Sequence, residues 1–510
     1  HQLRDCLGLA MDRGVTIVAN AGGVNTPGLV TAIRELATEQ GLSPAVAHVR
    51  GDDLTPRAAE LGLGTPLGAH AYLGGFGIAR AVASGADVVV TGRVTDASVI
   101  VGPSIAHFGW ERDDLDALAG ATAAGHIIEC GTQATGGNYA FFTEIPDLIR
   151  PGFPIAEIHR DGSSVITKHP GTGGAVTVDT VTSQLLYEVQ GERYAGPDVT
   201  TRLDSISLRE EGPDRVAVTG VRGEAPPPEV KVSLTALGGH RNEMTMVLTG
   251  LDVEAKADLV RRQFEDALTT APDELTWTLA RTDAQDPATQ QQGSALLTVV
   301  ARDPDPKVVG RPFSNSAVEV ALGSYPGFHT TAPPSSATPY GVFTPGYVPQ
   351  SAPQHEVVLD DGTVEPVAAP TRTRALEPLT APDTVAEAPA AVGPDATTRA
   401  PLGTVAGARS GDKGGSANVG VWVREDSAYD WLAALLTPDR VRELLPETAE
   451  LPLTITPLPN LRAVNIVIDG ILGEGVAYNA RFDPQAKGLG EWLRSRHVDI
   501  PRELAPEEYR

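Results

Sequence analysis

Three times before residue 100, a short apolar run gives way to a polar, glycine-bearing loop, and this repeat constrains the fold more than any other feature of the chain. Residues 15–19 are apolar, 20–26 are glycine-rich, and 27–40 carry Leu29, Ile33 and Leu36 at helical spacing. Residues 45–49 run into Gly51-Asp52-Asp53, and residues 86–90 into Thr91-Gly92-Arg93-Val94-Thr95-Asp96. Strands alternating with helices predict an α/β domain with a mostly parallel sheet, in which the loops after the strand carboxyl ends meet along one edge. Asn20, Asp52 and Arg93 are therefore expected to border one cleft.

The pattern changes further along. Residues 151–195 read as a β excursion, with extended segments at 153–158 and 164–168 around Asp161-Gly162, followed by the glycine-rich run His169 to Gly174. A second α/β stretch extends the core to about residue 330, with a helix at 253–270. Residues 331–400 are dense in Pro, Ala and Thr and read as an extended or partly disordered connector. Order returns from Leu402 in an α+β domain over 401–510. A chain of 510 residues exceeds what one core spans, about 250–300 residues, so two or three domains are expected.

Composition removes several classes of function. A net charge of -25 repels phosphate backbones and anionic membrane surfaces, which argues against nucleic-acid and membrane partners. Cys6 and Cys130 are the only cysteines, so neither a disulfide framework nor a cysteine-rich zinc site is expected. No apolar run spans a bilayer, and the expected location is the cytoplasm. The chain opens on His1-Gln2-Leu3-Arg4 without Met, as if inside a helix, which suggests an upstream segment.

Several loops carry candidate chemistry. Gly22 and Gly23 precede a helix start, where exposed N–H groups suit a phosphate or carboxylate; Thr26 and Pro27 alone read as cap and first helical residue. Asp96 either caps the helix that follows or stands with Arg93 at a strand's carboxyl end as an acid or base. His126 and Cys130, four apart on a helix, share a face, which is the spacing of a nucleophile and its base; a buried, inert cysteine is the other reading. Lys168 and His169 either form a lid turn or contribute charge to the substrate. Residues 407–421, GARSGDKGGSANVGV, are either a hairpin turn or a loop that brings Lys413 to an anionic ligand.

Taken in order, Ala19 to Asn25, Gly51 to Leu54, Thr91 to Asp96, Glu129 to Gly137, Lys168 to Gly174 and Ser324 to Phe328 resemble the acyclic terpene utilisation AtuA-like family. Ser410 to Gly414 with Ala417-Asn418 resembles that family's C-terminal ferredoxin-fold domain. The resemblance covers nearly the whole chain, and implies a glycine-rich strand and loop upstream of residue 1. It also implies the catabolism of branched or isoprenoid acids as coenzyme A thioesters. The expected protein is an enzyme with lyase, hydratase or hydrolase chemistry on an acyl-CoA or carboxylate, assembled as a homo-oligomer. Gly22, Gly23, Arg93 and Lys413 would cradle the anion, Asn20, Asp52, Lys168 and His169 would support binding, and His126 or Asp96 would move protons. Two alternatives remain: a phosphohydrolase holding Mg²⁺ on Asp52, Asp53 and Asp96, and a non-catalytic assembly subunit of an acyl-CoA enzyme complex.

Overall fold

The computed structural model describes residues 2–376 and 396–509. The chain divides into two compact units, His1–Leu234 with Thr344–Gly475 and Gln485–Arg510, and Thr235–Phe343 with Val476–Pro484.

In the first unit the N-terminal repeat forms strands Ile17–Ala19, Val46–Arg50 and Val88–Thr91. The third lies between the other two and is parallel to both. Val88, Val89 and Val90 are all buried, as a strand covered on both faces requires. Helices Thr26–Glu39 and Phe76–Ala83 lie between these strands in sequence. The sheet then continues through Glu356–Val358 and Val364–Pro366, which run antiparallel.

The first correction to the sequence reading follows: the parallel ladders join these three strands, with isolated parallel bridges at Leu73–Val94 and Pro151–Gly173, and the sheets are mostly antiparallel. Apolar runs reveal strands but not their direction. Direction follows from the connection, and many neighbouring strands later in the chain are consecutive and joined by short turns, which makes them antiparallel. The region read as a connector also supplies strands Thr338–Pro349, Glu356–Val358 and Val364–Pro366. Prolines in the first, and the three-residue length of the other two, hide their periodicity; residues 377–395 lie outside the described residues.

Residues 154–219 form an antiparallel sheet in the order Pro154–Ile158, Ser164–Lys168, Arg215–Thr219, Ser207–Gly212. It adjoins helix Leu115–Ile128, whose alanine- and glycine-rich sequence is buried from Ala117 to Ile127. The C-terminal sheet has the antiparallel order Ala406–Lys413, Ser416–Val423, Ala463–Ile468, Leu453–Leu458, with helices Asp426–Leu435, Pro438–Leu444 and Leu489–Ser495.

Strand Ser416–Val423 is buried on both faces. Ala417, Val419 and Val421 enter the C-terminal core, while Trp422 joins the core that holds Leu186. On that same face, a Cβ at Gly420 would come within 2.4 Å of Leu186. The segment around residues 186–189 is thereby pressed against the C-terminal sheet.

The second unit holds most of a further sheet, ordered Glu274–Ala280, Ser294–Asp303, Glu229–Thr249, Thr338–Pro349, its first three strands antiparallel, with helices Val253–Ala267 and Arg311–Val320. Phe264 and Phe313 meet edge to face at 5.2 Å in its core. No helix among the described residues is long and apolar enough to cross a membrane.

Candidate functional site

The loops that end the parallel strands do meet. Asn20 follows Ile17–Ala19 and donates from Nδ2 to Asp96 Oδ1 at 3.4 Å. Arg93 follows Val88–Thr91, and its guanidinium lies 4.0 Å from the same carboxylate. The buried Asp52 carboxylate pins this arrangement from beneath, accepting the Arg93 backbone N–H at 2.8 Å and facing His70 Nδ1 at 3.3 Å. Asp96 does not cap the following helix, Ser98–Phe108, whose N-cap is Ala97 without a side-chain bond.

The anion cradle expected of Gly22 is otherwise engaged. Its N–H donates to the Thr91 carbonyl at 2.9 Å, and a Cβ there would sit 2.5 Å from that carbonyl oxygen and 2.4 Å from Thr26 Oγ1. Close approach of backbone, not ligand binding, accounts for Gly22. Gly23 has φ 54°, a turn conformation. The helix cap is Asn25 rather than Thr26, its Oδ1 accepting from Gly28 N–H at 3.0 Å.

The stretch 407–421 is a hairpin in which Lys413 pairs with Ser416 across Gly414-Gly415, with Gly414 at φ 65°. From the base of that turn Lys413 Nζ donates to Glu188 Oε2 at 3.1 Å. Glu188 is itself in the left-handed region, φ 57°, a conformation that non-glycine residues adopt at a cost. Lys487 lies 3.7 Å from the other Glu188 oxygen and 3.8 Å from Asp412. Arg409 is buried, stacks over Tyr187 at 4.5 Å and donates to Gln133 Oε1 and the Asn138 carbonyl.

Lys231 completes the cluster. Its Nζ lies 5.3 Å from the Tyr72 ring, whose hydroxyl accepts from Arg93 Nη2 at 3.0 Å. Burial, then the charges of Lys413 and Arg93, lower the Lys231 amine to about 8. Asp96 shifts the other way, raised by burial and then by Glu129 against the pull of Arg93 and Lys413. Its side chain keeps 49% of its surface, so solvent reaches it, while the surrounding protein still desolvates the charge. Arg93, Lys413 and Glu188 act electrostatically on both groups. The site thus holds an amine and a carboxyl displaced towards each other in acidity, the condition for moving protons near neutral pH.

The remaining expected residues stand differently. His126 is only 4% exposed, its Nδ1 lies 3.6 Å from Glu129 Oε1, and its ring packs against Tyr194 at 5.0 Å. It meets the site through Glu129. Cys130 lies just beyond the helix, and burial, then Glu129 and Glu188, push its thiol up to about 11. A thiolate is disfavoured there, so Cys130→Ala is expected to keep most of the turnover. Rapid labelling of Cys130 by iodoacetamide, blocked by substrate, would contradict this. Lys168 is buried in its sheet, bonded to the Thr172 carbonyl at 2.8 Å and paired with Asp214 at 3.0 Å, and His169 is exposed beside it. Neither is brought into the cluster by these contacts. Among the described residues no three His, Cys, Asp or Glu side chains gather in metal-binding geometry.

Residues 1–359 match the family model of acyclic terpene utilisation family protein AtuA, and residues 400–499 match the AtuA ferredoxin-like domain. The chain belongs to the AtuA family. No curated protein and no solved structure matches it. The two family matches fall on the two parts of the chain that build the cluster: Asn20, Arg93, Asp96, Glu188 and Lys231 come from the AtuA region, Lys413 and Lys487 from the ferredoxin-like domain.

A cavity of about 180 Å³ lies beside Leu73 and Gly74, lined also by Arg112, Asp198, Gln350 and His355. Its charges are spent on one another: Asp198 accepts the Gly75 N–H at 2.6 Å and faces Arg112 at 3.6 Å. Arg93, Asp96, Lys231 and Lys413 do not line this cavity.

Sequence reasoning missed Tyr72, Glu129, Glu188, Lys231 and Lys487. A signal existed for Lys231, a lone cation between Val230 and Val232 on a strand whose alternation buries both neighbours. Glu188 and Lys487 had none, because only tertiary packing brings them to the hairpin.

Proposed function

We propose that this AtuA-family chain is an enzyme of isoprenoid or branched-chain acid breakdown that binds the carboxylate or coenzyme A thioester of its substrate in the cleft and acts by proton transfer, as in a lyase or hydratase. The observation that carries this reading is Asp96 at the strand ends, 4.0 Å from Arg93, with Arg93 and Lys413 acting on its charge and on that of Lys231. The Lys231 amine is lowered first by burial and then by repulsion from Lys413 and Arg93. An anion seated among them would relieve it, which favours a carboxylate, or the enolate that forms when a proton leaves beside a thioester carbonyl. Asp96, half-exposed and with a raised carboxyl, is then the group that takes and returns the proton. The family's link to acyclic terpene utilisation supports an isoprenoid acid as the carbon skeleton.

Calorimetric titration with 3-methylbut-2-enoate and its coenzyme A thioester tests the reading. Lys413→Ala should weaken binding about tenfold or more, because a charge-assisted hydrogen bond contributes roughly 1.5–3 kcal/mol. Unfolding of the same variant should change little, since Glu188 keeps Lys487 as a partner. Equal affinity in wild type and Lys413→Ala, or no binding of either compound, would count against the proposal.

A further inference from the structure

We propose that the cavity beside Leu73 and Gly74 is a second small-molecule site, separate from the cleft, and that it takes an α-amino acid with an aliphatic side chain. The charges around it set the class of occupant. Among the described residues, Arg112 and Asp198 are the charged side chains that line it, and His355, lowered to about 4 by burial and then by Arg112, adds no charge near neutral pH. An occupant of zero net charge is therefore favoured over a lone anion or cation. Arg112 and Asp198 balance in sign but do not close on each other. Asp198 Oδ2 accepts the Gly75 N–H at 2.6 Å, while Oδ1 faces Arg112 Nη1 at 3.6 Å, beyond a hydrogen bond. Arg112 Nη2 donates to the Ala368 carbonyl, and the guanidinium lies over the Phe76 ring at 4.1 Å. Both side chains are thus fixed on one side, and the atoms that face each other keep bonding capacity.

An α-amino acid matches that gap. Its ammonium and carboxylate leave the same carbon, so together they can meet two protein charges 3.6 Å apart, the ammonium on Asp198 Oδ1 and the carboxylate on Arg112 Nη1. Burial raises the Asp198 carboxyl in spite of the Gly75 N–H and Arg112, and lowers the Arg112 guanidinium in spite of Asp198, so each charge gains from a closer partner. Leu73, Val230, Pro353 and Val367 supply the apolar wall that an aliphatic side chain needs. The volume agrees: about 180 Å³ is slightly more than the roughly 150 Å³ that admits benzene, which suits a molecule of leucine's size and leaves no room for a nucleotide. The wall is also preformed. Gln350 Nε2 donates to the Pro197 and Pro227 carbonyls at 3.0 and 3.1 Å, and a Cβ on Gly74 would come within 2.2 Å of the Asp198 carboxylate, so glycine leaves that carboxylate its place. Leu73 gives its N–H to the Arg93 carbonyl at 3.3 Å and accepts the Thr95 N–H at 3.0 Å, which bonds the cavity wall to the loop of Arg93 and Asp96 without either side chain entering the cavity.

Calorimetric titration of the full chain with L-leucine is the test. Leucine is expected to bind and to raise the melting temperature. Two analogues each lack one charge: 4-methylpentanoate has no ammonium and 3-methylbutylamine no carboxylate, and each should bind at least about tenfold more weakly. Asp198→Asn and Arg112→Gln should lose leucine affinity by a similar factor, with a cooperative melt showing that each variant is folded. Ala369→Phe keeps both charges and takes up space in the cavity, so it should weaken leucine too, and it serves as the test if neither charge variant folds. Absence of both heat and thermal shift with wild type at millimolar leucine overturns the site. Equal binding of leucine and 4-methylpentanoate, or unchanged leucine affinity in the folded variants, overturns the assignment of the head group to Asp198 and Arg112.

Discussion

Asp96→Asn is expected to lower turnover by about 10²–10⁴-fold, the usual contribution of a positioned acid or base, while leaving the protein folded and its affinity for 3-methylbut-2-enoate equal or higher. The amide preserves the shape and can still accept from Asn20 Nδ2, but it cannot carry a proton. It also removes a negative charge from beside an anion site. The effect on stability has a definite sign. The folded-state carboxyl is raised above its ordinary 3.8 by burial and Glu129, so ionising it disfavours the fold. The native protein therefore gains relative stability as pH falls from the raised value through 3.8, and Asp96→Asn should show less of that gain. At neutral pH the variant should melt at the same temperature as wild type or higher. In wild type the acid limb of the kcat profile should lie above 3.8, and residual turnover in the variant should lack that limb. Retention of near wild-type turnover by Asp96→Asn would remove Asp96 from the mechanism.

The residues that sequence could reach and those it could not differ for a physical reason. Asn20, Arg93 and Asp96 stand just past strand ends in a repeating strand and helix pattern, and the rule that such loops converge needs no tertiary detail. Two of the glycines that drew attention beside them, Gly22 and Gly23, show the limit of the rule: a glycine signals close approach or an unusual turn, and only coordinates tell whether the approaching group is a ligand or, as at Gly22, the Thr91 backbone. The parallel expectation failed for a similar reason. Strand Glu229–Thr249 is a single 21-residue element, which the sequence shows as two short apolar runs because its middle is exposed. His126 and Cys130 were legible as a pair on one helical face, yet the helix is buried almost throughout, so shared facing brings packing rather than access. Glu188 and Lys487 lie far apart in sequence, and no local pattern relates either to the hairpin carrying Lys413.

Asn418→Ala should destabilise the protein by about 3 kcal/mol and loosen the cleft as well, although Asn418 lies outside it. Asn418 is 1% exposed and sits on the face of strand Ser416–Val423 that meets residues 186–189. Its Nδ2 donates to the Leu186 carbonyl at 2.7 Å and to Asn465 Oδ1 at 2.9 Å, and its Oδ1 accepts the Glu188 N–H at 2.8 Å. Asn465, wholly buried, extends the clamp to the Val189 carbonyl at 3.2 Å. Truncation takes these bonds from the Leu186 carbonyl and the Glu188 N–H where water cannot replace them, and each unsatisfied buried group costs about 1–3 kcal/mol. The same N–H bond helps hold Glu188 in its left-handed conformation, and Glu188 in turn orients Lys413 and Lys487. Chemical denaturation should therefore show a loss several times larger than that of Lys413→Ala, which removes a partly exposed pair and should lie within about 0.5 kcal/mol of wild type. Under conditions where Asn418→Ala is still folded, its affinity for 3-methylbut-2-enoate should fall towards that of Lys413→Ala. If denaturation instead places Asn418→Ala within 0.5 kcal/mol of wild type with unchanged affinity, the clamp does not position the site, and the hairpin holds Lys413 in place by its own turn alone.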